Sequence, residues 1–336
     1  MSETYPKGLS KPYDSAFKSI IQKCPRLALF LINELFFKNG LIQSEYTGSE
    51  RVKLLNRELT DLEFGNLEED IRLVVEKDEQ GIFHMECEST AGDTRVMLRM
   101  VRYDTRSAVE DALITDNCIH VRIDDSGVLF LRSTKNTPSM VKVILECPQG
   151  NKVSYKIPTL KLQDYTLKEM LDKKLFILLP FLFFNYEKQL GNASDPHDYE
   201  EIKNLFETII QYLQELADNE TITGYEASTL YDALKVVIEA LGEKHKTDKE
   251  VQTIMGGKVL EFSADKYYNA GKKEGLKEGR EAGKDEERVF NIRNAMDKLS
   301  MTAEAAMDFI EIPVEEHEKY ALLLKENAPL DSYVQS

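Results

Sequence analysis

The chain has 336 residues, 42% hydrophobic and 30% charged, enough apolar material for a buried core and too much for a disordered tail. Its 43 Lys+Arg against 59 Asp+Glu give a formal net charge of −16, which excludes a protein that grips the nucleic-acid backbone by bulk electrostatics. The acidity is uneven: residues 1–150 hold 19 basic and 24 acidic side chains, net −5, and the remainder 24 against 35, net −11.

The opening MSETYPKGLSKPYD has no apolar core of the export-signal type, so a cytoplasmic location is expected. Over 12–37, Phe17, Ile20, Ile21, Leu27, Phe30, Leu31 and Leu35 recur at three- and four-residue steps, which predicts a helix, or a helix pair bent near Pro25. A strand is expected over 52–59. Two β-rich runs within 69–89 flank Asp78-Glu79-Gln80-Gly81 and predict a hairpin. Residues 95–112 lack Gly and Pro and read as a helix, and GVLFLRS from Gly127 and SMVKVILEC from Ser139 read as strands. The order α-β-β-β-α-β-β predicts an α/β fold, a mixed sheet flanked by helices.

After Pro158 the strands are expected to stop, and 167–186, 202–216 and 225–241 show helical spacing, an all-helical region following the sheet. The apolar run 175–184 is broken by Pro180 and is half the length a membrane helix needs, so it predicts a buried core segment and no membrane partner. Gly271, Gly275, Gly279 and Gly283 stand four apart in a charged stretch, either a face where a second backbone approaches or a solvated helical linker. Val289, Ile292, Met296 and Leu299 form a short heptad stripe, and Thr302 reads as an N-cap. These C-terminal helices suit a homo-oligomer or a partner contact. The expected division is a sheet domain over 1–158, a helical accessory region over 159–262 and a glycine-punctuated charged helical tail over 263–336.

Cys24, Cys87, Cys118 and Cys147 form no C-x-x-C pair and have no histidine at zinc spacing, so neither a disulfide framework nor a structural zinc is predicted. The chemistry-bearing cluster is acidic. Strand alternation puts Glu86 and Glu88 on one face and Cys87 on the other, with His84 in phase with the acids, and a hairpin brings Asp70 near Glu86. Such acids either form a solvated strand end or hold a divalent cation, the equipment for phosphodiester hydrolysis. Arg95, Arg99, Arg102 and Arg106 share one helical face and read either as phosphate donors or as ion-pair partners of Asp93, Asp104 and Glu110. No phosphate loop, dinucleotide fingerprint or nucleophilic triad is present in the sequence.

The segments KPYDSAFKSI, EEDIRLVV and FHMECESTAGDTRVMLRMVRYD resemble the Rpn family of recombination-promoting nucleases and transposase-like proteins, within the PD-(D/E)XK nuclease superfamily. The resemblance covers residues 6–186, and LFILLPFLFFNYE and the glycine repeat are also similar to bacterial members. The family motif matches Asp70, Glu86-Cys87-Glu88-Ser89, Asp93, Met97, Arg99 and Tyr103. It implies a PD-(D/E)XK-like sheet and a Mg²⁺- or Mn²⁺-dependent endonuclease acting on DNA and promoting recombination. Asp70, Glu86 and the Cys87 carbonyl would be metal ligands, Glu88 would orient or deprotonate the water, and Arg99 and Tyr103 would support the site; with the arginine row of the same helical face, the expected substrate contacts are Arg95, Arg99, Arg102 and Tyr103. Asp14 and Lys18 match an early D-x-x-F-K pattern, and Glu34 is an extra acid of the kind superfamily members bring to the metal. Position 88 departs from the pattern: Glu88 stands where the superfamily has Lys and the family Gln. A carboxylate lacks the lysine's positive charge, so the resemblance also implies an alternative, a degenerate member acting as an oligomerising or partner-binding protein.

Overall fold

The computed structural model describes residues 12–55, 58–61, 65–68, 71–76, 81–89, 95–191 and 196–247, and 284–285, 288–296, 298, 301–310 and 312–326. They fall in two compact units, Met1–Asp265 and Lys266–Ser336.

In the first unit, helix α1 (Pro12–Lys23) begins on a proline, whose missing N–H is no loss at a helix start. It buries Tyr13, Ala16, Phe17, Ile20 and Ile21, and Pro25 turns the chain through a 3₁₀ turn, Pro25–Leu27. Helix α2 (Ala28–Ile32) then runs into a single π turn, Asn33–Phe37. The bend expected at Pro25 is present.

The strands, in chain order, are β1 (Arg51–Leu54), β2 (Glu58–Asp61), β3 (Gly65–Glu68), β4 (Ile71–Glu76), β5 (Gly81–Glu88), β6 (Leu113–Thr115), β7 (Cys118–His120), β8 (Asp125–Phe130), β9 (Met140–Glu146) and β10 (Lys152–Lys161). Six of them form one mixed sheet in the order β1-β4-β5-β8-β10-β9, while β2-β3 and β6-β7 are separate hairpins. Pairing is parallel at β5-β8 and β8-β10 and antiparallel elsewhere in the sheet. Helix α3 (Arg95–Glu110) lies in the chain between β5 and β8.

Strand β10 is a correction to the sequence reading, which ended the strands at Pro158. A proline signals a strand end because it cannot donate to a ladder. Here Pro158 forms the last pair with β9, opposite Met140, and pairing with β8 begins one residue later at Thr159, opposite Val128. The residue without an N–H stands where one ladder hands over to the other.

A second correction concerns 167–186. Only α4 (Leu167–Asp172) is α-helical, capped by a reciprocal box between Thr166 and Glu169. Phe176–Tyr186 is a run of 3₁₀ turns buried from Phe176 to Phe184. With apolar residues on every side and Pro180 inside, no polar stripe orients a regular helix there. Helices α5 (Glu187–Gly191), α6 (Pro196–Asp218) and α7 (Gly224–His245) follow, in the same compact unit as the sheet. Among the described residues, no helix is long and apolar enough to cross a membrane.

The two sheet faces are covered by different helices. The Phe36 ring packs 5.1 Å from that of Phe83, and a Cβ on Gly127 would come within 3.0 Å of Phe36, so the π turn takes the face of Phe83, Met85 and Cys87. On the other face, Val96, Met97 and Met100 of α3 pack with Val128, Phe130 and Ile157.

In the second unit, a helical stretch over 288–296, helix α8 (Ala303–Phe309) and helix α9 (His317–Glu326) enclose a small core of Val289, Ile292, Ala295, Ala306, Met307, Ile312 and Tyr320. Thr302 caps α8 as its sequence predicts, accepting from the Ala305 N–H at 3.2 Å. Val289 and Ile292 of the heptad stripe are thus buried within their own unit; Leu299 and the glycine repeat lie outside the described residues.

Candidate functional site

Strand β5 supplies the site because its side chains alternate. In the register with β8, His84, Glu86 and Glu88 stand beside Ser126, Val128 and Phe130, on the face that α3 covers. Helix α3 is amphipathic, with Val96, Met97, Met100, Tyr103, Asp104, Ser107 and Ala108 buried and Leu98, Arg102 and Thr105 exposed. A polar seam results between β5 and α3.

At one end of the seam, Glu86 is 1% and Glu88 3% exposed. Two buried carboxylates so placed repel each other unless a cation sits with them. Arg99 supplies that charge: its Nη2 donates to Glu86 Oε2 at 2.9 Å and to Glu88 Oε2 at 3.1 Å. The Arg99 side chain is 45% exposed, so this end meets solvent.

One step along, His84 Nδ1 lies 2.8 Å from Asp104 Oδ1, which also accepts from Ser126 Oγ at 2.7 Å. All three residues are buried. Beyond them Arg72, 5% exposed, donates through Nε to Asp124 at 2.6 Å and pairs through Nη2 with Asp111 at 2.7 Å.

Of the residues singled out in the sequence, Glu86, Glu88 and Arg99 come together, with His84 and Tyr103 next to them, their rings 5.9 Å apart. The Cys87 thiol faces the other side of the sheet and is buried. Asp70 and Asp93 lie outside the described residues, as does the Arg95 side chain. Ile71, the residue after Asp70, pairs with Met85, the residue before Glu86. The arginine row divides: Arg99 turns to the acids, Arg102 is exposed, and Arg106 donates to Glu110 at 3.2 Å, the ion-pair alternative. Met97 is a core residue. Asp14 and Lys18 lie on α1. Glu34 belongs to another cluster, accepting from Tyr165 Oη at 2.6 Å and Lys173 Nζ at 2.7 Å.

The sequence reading passed over Arg72, Asp124 and Ser126, and took Asp104 only as an arginine partner. One signal was present: Arg72 is the lone charge in the run Ile71-Arg72-Leu73-Val74-Val75, where a charge must be either mispredicted or paired in the interior.

The strand end is anchored from the far side by Arg132, which donates to the Ser89 carbonyl, forks onto Glu187 at 2.6 and 2.8 Å and lies over the Phe184 ring at 4.5 Å. Burial pushes the Glu187 carboxyl up, but hydrogen bonds with Arg132 and His245 and the charges of Arg132 and Lys244 outweigh it and hold the pKa at about 2. A folded-state value below the ordinary 4.5 stabilises fully above pH 4.5, and the gain is lost as pH falls through about 2. In denaturation series between these limits, Glu187→Gln is expected to flatten that part of the acid dependence.

His197, Asp198 and Glu201, at the start of α6, bring three ligand-type atoms within 4.8 Å of one another. They are exposed or half-buried at a helix N-terminus, where the unpaired N–H groups favour anions over cations.

As a donor set, Glu86 and Glu88 offer the hard carboxylate oxygens that Mg²⁺ or Mn²⁺ prefers, with Arg99 holding the compensating charge. Comparison with family models, curated proteins and solved structures finds no match to this chain.

Proposed function

We propose that the chain is a metal-dependent DNA endonuclease-like protein of the Rpn, PD-(D/E)XK type. The observation that carries the proposal is the pair Glu86 and Glu88, buried side by side at the solvent-facing end of a polar seam and sharing one arginine. A fold that only needed stability would fill this position more cheaply with apolar side chains.

A bound Mg²⁺ or Mn²⁺ supplies charge neutralisation on the phosphate and a more acidic water. Glu86 and Asp70 are the residues that would hold it, with the Cys87 carbonyl as a further oxygen. Glu88, set one pleat further along β5, orients the attacking water and takes its proton. Arg99 turns its guanidinium from the acids to the phosphate, and the exposed Arg102, with Arg95, meets the backbone of the DNA.

A second reading has its own observation. Glu88 in the position of the superfamily lysine is paired with Arg99 at 3.1 Å, an arrangement that also suits a protein that has kept the fold and lost turnover. The purified chain with supercoiled plasmid and Mg²⁺ or Mn²⁺ separates the two. Nicking or linearisation lost in Asp70→Ala supports the nuclease. Cleavage unchanged in Asp70→Ala and Glu86→Ala removes this site, and no cleavage with any divalent ion leaves the partner-binding reading.

A further inference from the structure

The β6-β7 hairpin forms a two-stranded sheet of its own, although an isolated hairpin is at best marginally stable in water. All six of its strand residues are exposed. Ile114 pairs directly with Ile119, so both point to one face, and they are 78% and 65% exposed. Leu113 and Val121, at the hairpin's two ends, are 52% and 49% exposed, and Val109, in the last turn of α3 and bonded through its carbonyl to the Ala112 N–H, is 64% exposed.

Natural edge strands are protected by lysine, proline or inward charge. Residues 113–121 contain no Lys, Arg or Pro; their one carboxylate, Asp116, is in the turn. A nucleic acid would find no cation in this segment to meet its phosphates.

We propose that this hairpin is a self-association surface, occupied by the hairpin of a second copy of the chain about a two-fold axis, with the Ile114–Ile119 faces stacked. The proposal is independent of the proposed reaction. Charge selects the occupant: a chain of net −16 repels its own copies over most of its surface, and the Ile114–Ile119 pair is where two copies meet through aliphatic side chains, with Glu110 and Asp111 at the base of the hairpin and Asp116 in its turn. A two-fold contact needs a self-complementary patch, and a row of β-branched side chains with its acid at the periphery fits itself.

Area agrees. Leu113 pairs with His120 and alternates to the other face; at on the order of 100 Å² of apolar surface for a fully exposed aliphatic side chain, Val109, Ile114, Ile119 and Val121 leave about 250 Å² uncovered on each copy, close to the size of the largest apolar patch on a typical monomer, which is often functional. Two copies together bury about 500 Å², the apolar half of an interface of about 1,000 Å², the size that a specific contact has to reach.

The test is the mass of the full chain by light scattering and sedimentation across the micromolar range, beside Ile114→Lys/Ile119→Lys, the milder Ile114→Thr/Ile119→Thr and, as a control, Ile144→Lys, which changes a 53% exposed residue of β9. Wild type and Ile144→Lys are expected at twice 38.5 kDa. The lysine pair is expected to associate at least about 30-fold more weakly, the scale of a central interface position, with an unchanged melting profile. The threonine pair keeps strand propensity and is expected to fall between, so the comparison stands even if the lysine pair fails to fold. A wild type of 38.5 kDa at every concentration, a dimer that survives both hairpin variants, or one broken by Ile144→Lys would overturn the proposal.

Discussion

Glu86→Gln is expected to lower Mg²⁺- or Mn²⁺-dependent plasmid cleavage by at least about 100-fold, since loss of a metal-holding carboxylate costs no less than loss of the groups that merely orient one. The substitution keeps the shape of the side chain and removes its charge, and Arg99 retains Glu88 at 3.1 Å. The fold is therefore expected to survive, which far-ultraviolet circular dichroism checks. Arg99→Ala probes the same geometry without an activity readout. It takes that guanidinium from Glu86 and Glu88, 1% and 3% exposed on one face of β5, so the variant is expected to melt earlier and to gain more from added Mg²⁺ or Mn²⁺ than wild type does. Equal shifts in the two proteins would show that the acids do not hold the ion.

Arg72→Leu is expected to be the most damaging single change to stability, at about 3–5 kcal/mol, the cost of leaving a buried charge without its partner. The stranded group is Asp124, whose side chain is 4% exposed and whose Oδ2 accepts from Arg72 at 2.6 Å. Asp111 contributes less, its side chain being 37% exposed. Urea midpoints report the loss, and the double variant Arg72→Leu/Asp124→Leu is expected to recover much of it, because two apolar side chains replace a buried pair at little cost. A double variant no more stable than the single one would show that the seam is held by some other contact.

How much of this was legible depended on the range of the interaction. The bend at Pro25, the β4-β5 hairpin, α3, α6, α7 and the Thr302 cap all follow from patterns within one element, and each is found where its residues put it. Strand β10 was hidden because its proline is tolerated only through two neighbours, β9 and β8, which the local pattern does not contain. The β6-β7 hairpin has three residues per strand, too few for alternation to register. At the site, alternation was enough to put Glu86 and Glu88 together. Their sharing of Arg99, and the partnerships of His84 with Asp104 and of Arg72 with Asp124, join residues 11 to 52 positions apart, and no spacing rule selects one arginine of a row for that role.

The contact between Arg26 and Glu226 spans 200 positions of sequence. Glu226 both closes the capping box of α7 and accepts both arms of the Arg26 fork, at 3.1 and 2.6 Å, while α1 lays its apolar face against α7. During synthesis, at about 5–20 residues per second, the first helices emerge some 10–40 seconds before the helix that covers them. For that interval Phe17, Ile20 and Ile21, fully buried in the finished fold, have no partner from α7. The nascent chain thus carries a greasy segment at α1, suited to a chaperone, until α7 leaves the ribosome and covers it.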